Sequence, residues 1–152
     1  MNNKKGRDIL KWSLFILYIA LMIYFMFFAE MFGRTPSDEP RYNLIPFKEI
    51  IRFVKYSNRL GIQTVVINIV GNVVVFIPFG MALTSISKRG LGFFAVTLYS
   101  ASLSIAIELI QLLTRVGSCD VDDIILNTLG GMIGYLLYIF IKSRGKKQNE
   151  TV

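Results

Sequence analysis

The chain has 152 residues, 53% of them hydrophobic, and a formal net charge of +7; with a mean hydropathy of +0.53, this is the profile of a single-domain polytopic membrane protein, not of a soluble one. Histidine is absent and Cys119 is the only cysteine, which excludes an internal disulfide and argues against zinc sites and Ser-His-Asp chemistry. The basic residues flank apolar runs, where they orient helices and meet anionic head groups, so the charge points to membrane lipids as partners and away from nucleic acid.

Lys4, Lys5, Arg7 and Lys11 precede an apolar run that resembles a signal peptide but is too long and lacks a small-x-small cleavage site. The reading is a retained first transmembrane helix over Ile9–Ala29, about 30 Å long at roughly 1.5 Å per residue. The following connection, Glu30–Gly61, contains Pro36, Pro40 and Pro46 and the segment FKEIIRFV. Helical spacing there would place Ile50, Ile51, Phe53 and Val54 on the membrane and Lys48, Glu49, Arg52 and Lys55 in water, an amphipathic interfacial helix in the first outer loop. An ordinary solvated loop helix fits the same spacing.

A second span is expected over 62–83, broken near its end by Pro78 and carrying Asn68 and Asn72 one helical turn apart. After a short turn at Lys88, Arg89 and Gly90, a third span covers 91–113. A fourth covers 123–141, and residues 142–152 form a basic, disordered tail. The fold class is therefore all-α, a four-transmembrane-helix bundle forming one domain over 1–152. Four spans place both termini together with the Lys88/Arg89 turn, and the positive-inside rule makes that side cytoplasmic.

On the third span Thr97, Ser100, Ser104, Glu108, Gln111 and Arg115 recur every three or four residues, forming one polar stripe that cannot face lipid. Glu108 falls in the outer leaflet, where an ionisable group costs roughly 2.5 kcal/mol or more unless paired, hydrated or protonated. The fourth span begins with Asp120 and Asp123 one turn apart, which suits capping of a helix N-terminus, and Asn127 lies one turn deeper. Gly130 and Gly134 form a GxxxG pair for close helix packing.

If the stripes converge, the outer leaflet holds a pocket of Asn68, Asn72, Glu108, Gln111, Arg115, Asp120, Asp123 and Asn127. Three chemistries fit it. Glu108, Asp120 and Asp123 could hold a divalent cation, which nothing in the sequence requires; two carboxylates could serve as general acid and base; or Arg115 and the amides could bind a phosphate or sugar of a lipid-linked molecule. A hydrogen-bonded network that only keeps the helices in register explains the same residues. No catalytic residue is assigned.

Three blocks, NLIPF at Asn43–Phe47, NVVVFIPFG at Asn72–Gly80, and the run from Glu108 through Gln111, Asp120, Asp123, Asn127 and Gly130 to Gly134, resemble the VanZ-like family of small bacterial membrane proteins. The resemblance implies low-level resistance to teicoplanin, a lipid-bearing glycopeptide antibiotic, without remodelling of the peptidoglycan precursor. The leading expectation is a non-enzymatic cell-envelope protein whose outward-facing pocket binds a lipid-linked cell-wall precursor or a lipoglycopeptide. A membrane-embedded enzyme acting on a lipid-linked phosphate or glycan, or a non-catalytic envelope scaffold, are the alternatives.

Overall fold

The structure is a computed structural model that describes residues 3–28, 39, 41–87 and 90–149. Ala29, most of the first half of the long outer loop and the Lys88/Arg89 turn lie outside the described residues. The elements are α1 (Asn3–Phe28), β1 (Tyr42–Asn43), α2 (Lys48–Lys55), α3 (Ser57–Leu60), α4 (Ile62–Ile86), α5 (Phe93–Thr114), β2 (Cys119–Asp120) and α6 (Val121–Asn149). Four of these helices, α1, α4, α5 and α6, are long and apolar enough to cross a membrane, as the sequence predicts.

Two expectations are corrected. Pro78 does not break α4, which continues through it to Ile86; a membrane helix tolerates proline because neighbouring helices replace the lost backbone partners. One turn before it, the Tyr18 hydroxyl of α1 donates to the Val75 carbonyl over 2.6 Å and ties α1 to this part of α4. The start of the basic tail is not disordered either, since α6 runs on to Asn149. Lys, Arg and Gln are good helix formers, and cations at a helix C-terminus are favoured by its dipole.

The packing is inverted relative to a soluble protein. Phe94, Leu98, Leu113, Leu136 and Phe140 are exposed on the bundle surface while Ser100, Ser104, Glu108, Gln111 and Asn127 are buried. In lipid there is no hydrophobic force between helices, so association depends on close packing and hydrogen bonds. The closest packing is between α4 and α6: a Cβ at Gly130 would collide with the Val73 carbonyl, one at Gly134 with the Ile77 carbonyl, and one at Gly80 with the Gly131 carbonyl. The GxxxG pair thus seats α6 on α4, while Gly131 meets Ser100 of α5. An apolar cluster of Met22, Met26, Phe76, Phe79 and Ile107 ties α1 to this three-helix unit.

At the α5–α6 end, β1 and β2 pair in parallel, Tyr42 with Cys119 and Asn43 with Asp120. This two-stranded link, invisible in a pattern of apolar runs, fixes the loop between α1 and α4 to the bundle and places α2 over the start of α6.

Candidate functional site

Helix α5 ends with Arg115 in a left-handed cap at φ 57°, and Gly117 turns the chain at φ 84° so that β2 returns over the helix end. This brings the Asp120 N–H to Glu108 Oε2 at 2.8 Å. Asp120 Oδ1 in turn accepts from the Asn43 amide at 3.0 Å and from the Asp122 N–H at 2.9 Å. Glu108 is 1% exposed, and this backbone donor compensates part of the cost of placing its carboxylate away from water.

Asp122 is the residue that sequence reasoning left out. Its carboxylate accepts the backbone N–H groups of Phe47, of Glu49 at 2.8 Å and of Ile50 at 3.0 Å. Helix α2 has no side-chain cap of its own, because Phe47 occupies the cap position in a left-handed conformation at φ 64°. The first N–H groups of a helix need acceptors, and Asp122 supplies them from another element. The only sequence signal was a third carboxylate within four residues, which capping of α6 alone did not require.

Deeper in the bundle the polar stripes pair off. The Asn72 amide donates to Asp123 Oδ1, the Asn127 amide to Ser104 Oγ at 2.9 Å, and the Gln111 amide to the Met26 carbonyl at 2.8 Å, joining α5 to α1. The amide oxygens of Asn72, Gln111 and Asn127 meet no protein donor. Asn68 stays outside this group, bonding the Thr64 carbonyl of its own helix at 2.8 Å, and Arg115 is exposed at the helix end. Among the described residues no group of three or more His, Cys, Asp or Glu side chains is arranged to hold a metal ion.

The open part of the site lies above this network. A cleft of about 450 Å³ is lined by Arg41, Tyr42, Asn43, Lys48, Glu49, Arg52, Ser118 and Asp120. Of the expected pocket residues only Asp120 lines it; Ser118 comes from the α5–β2 turn, and the rest of the lining comes from the loop between α1 and α4. Three cations, Arg41, Lys48 and Arg52, face two carboxylates, Glu49 and Asp120, an excess of one positive charge. Burial holds the Asp120 carboxyl above its ordinary value, opposed by the Asp122 N–H and the Asn43 amide. Burial also raises Glu49, against the pull of Arg52, with which it is ion-paired.

The fold and these paired blocks correspond to one known group. The VanZ/LLP1 family model matches residues 15–142. The chain belongs to that family. It is 29% identical over 133 residues to Protein VanZ of Enterococcus faecium, an alignment covering 86% of this chain and 74% of that protein. No solved structure matches. The three blocks that carry the VanZ/LLP1 resemblance meet in space: Asn43 holds Asp120, Asn72 holds Asp123, and Gly80 backs onto Gly131.

Proposed function

We propose that this VanZ/LLP1 protein works in the bacterial cytoplasmic membrane as a non-enzymatic envelope protein. Its outward-facing cleft engages a lipid-anchored cell-wall component or a lipoglycopeptide, and so lowers susceptibility to teicoplanin. The observation that carries this reading is the cleft of Arg41, Lys48, Arg52, Asn43, Ser118 and Asp120 at one end of the four-helix bundle. Lys5, Lys11, Lys142 and Arg144 belong to the opposite helix ends, which supports a cytoplasmic placement of both termini. The first loop also carries six basic residues, but ten lie on the side of the termini, so the bias still favours cytoplasmic termini.

The test is expression of the full chain and of an Arg41→Gln/Lys48→Gln double variant in a susceptible Gram-positive host. Wild type raises the inhibitory concentration of teicoplanin more than that of vancomycin, and the double variant returns it to the empty-vector value. If neither drug's inhibitory concentration moves with the wild-type protein, the proposal is wrong.

A further inference from the structure

Between α1 and α5 runs a second opening, of about 580 Å³, lined by Ile19, Phe27, Leu103, Ala106, Ile110 and Val116 among others. Its walls are almost wholly apolar, and it lies between two membrane-spanning helices. From Leu103 to Thr114 it follows twelve residues of α5, a rise of about 16 Å at roughly 1.5 Å per residue, or close to half of a hydrocarbon core about 30 Å thick. It therefore spans one leaflet, the one on the cleft side, because Thr114 ends α5 and Phe27 is next to the end of α1.

Groove and cleft approach each other at the α5–β2 turn. Val116 lines the groove and Ser118 lines the cleft; two residues of chain span at most about 7 Å. An amphiphile whose chain lay in the groove would bring its head to the rim of the cationic cleft without leaving its own leaflet. An excess of positive charge with two guanidinium groups suits phosphate oxygens, which arginine binds through paired N–H donors.

We infer that cleft and groove are one composite site for a lipid with a phosphate-bearing head, the phosphate among Arg41, Lys48 and Arg52 and one hydrocarbon chain between α1 and α5. This rests on the function proposed above and names the chemistry of its ligand. Neither half suffices: the chain supplies residence in the leaflet, and the phosphate supplies selection among lipids.

The full chain, purified in neutral detergent, is presented with phosphatidic acid and with diacylglycerol, which has the same chains but no phosphate, and retained lipid is read by native mass spectrometry. Wild type retains phosphatidic acid in about tenfold preference, the scale of one or two charge-assisted bonds, and Arg41→Gln/Lys48→Gln brings the two lipids to parity. Ala106→Trp and Ile110→Trp fill the groove from exposed positions without displacing core atoms, so each lowers phosphatidic acid occupancy by a similar factor while the thermal midpoint holds. Equal retention of both lipids by wild type overturns the inference. So does undiminished occupancy in both tryptophan variants, or displacement of the lipid by millimolar inorganic phosphate, which would show that the head alone binds. Selectivity in a chain that leaves drug inhibition unmoved sinks the proposed function alone; drug protection without selectivity sinks the composite site alone.

Discussion

The Asp122 carboxylate and the Glu49 backbone N–H, 73 positions apart in the chain, are 2.8 Å apart in the fold. Through this contact a residue at the start of a transmembrane helix caps α2, the helix that carries Lys48, Glu49 and Arg52 of the cleft. Asp122→Ala removes the acceptor for three backbone donors at once. The expected cost is about 3 kcal/mol, from a lost cap and donors left without partners. Asp122→Asn keeps one acceptor oxygen and should lose about half as much. Thermal unfolding in detergent gives the total, and hydrogen exchange at Glu49 and Ile50 localises it. Unchanged exchange at these amides in the alanine variant would show that the cap does not hold α2.

The α4–α6 seam makes an equally direct prediction. In an exposed helix Gly→Ala gains up to about 1 kcal/mol from propensity, and Gly6, with nothing within 4 Å of an added Cβ, should behave so. At Gly130 the same methyl meets the Val73 carbonyl, which belongs to another helix backbone and cannot rotate away. Gly130→Ala is therefore expected to destabilise by about 2 kcal/mol or more, with Gly6→Ala neutral or slightly stabilising. The two thermal midpoints, measured side by side, decide it; equal midpoints would mean that the helices are not in backbone contact.

The architecture was legible in the sequence because its signal is one-dimensional. Runs of about 20 apolar residues locate spans, and the three- or four-residue recurrence of Ser100, Ser104, Glu108 and Gln111 identifies a buried face before any contact is known. The cleft was not legible, because a carboxylate at a helix start is satisfied equally well by its own helix or by another. Asp122 caps α2 across 72 to 75 positions, and no local pattern encodes that choice. Lys48 and Arg52 read as the water-facing side of a loop helix and Arg41 carried no local signal, for the same reason: the β1–β2 pairing beside Asp120 is two residues long. Arg115 and Asn68 fitted the helical spacing, but spacing gives only the face. Arg115 falls just beyond the helix in a left-handed cap, and Asn68 bonds its own backbone.

Asp120 makes stability depend on pH in a definite direction. Burial, the largest cause, raises its carboxyl above the ordinary value of 3.8, so the folded protein holds the proton more tightly than the unfolded chain. The slope of stability with pH is then negative for this group. No penalty exists below the ordinary value, and it accumulates as pH rises towards the raised one. The Asp122 charge adds to the shift, and Arg52, Asn43 and the Asp122 N–H oppose it. Asp120→Asn removes the ionisation while keeping an acceptor oxygen for Asn43. The stability difference between wild type and Asp120→Asn should accordingly move in favour of wild type as the solution is acidified from neutral through the carboxylate range. Urea or thermal titrations of both proteins at matched pH supply the numbers, and a difference moving the opposite way would mean that Asp120 is stabilised as the anion.

The proposed orientation is open to a thiol test, but not with the native cysteine. Cys119 is 7% exposed, and burial followed by the charges of Glu108, Asp120 and Asp123 pushes its thiol up, so little reactive thiolate exists at neutral pH. Ser118 next to it lines the open cleft. In a Cys119→Ala background, Ser118→Cys should react with a membrane-impermeant maleimide in intact cells at least about tenfold faster than native Cys119 does, reflecting access and thiolate fraction together. Gel-shift of the labelled chain before and after permeabilisation provides the readout. Labelling of the Ser118→Cys protein only after permeabilisation would turn the bundle over, expose the cationic cleft to the cytoplasmic leaflet and remove extracellular lipoglycopeptides from the ligands it can meet.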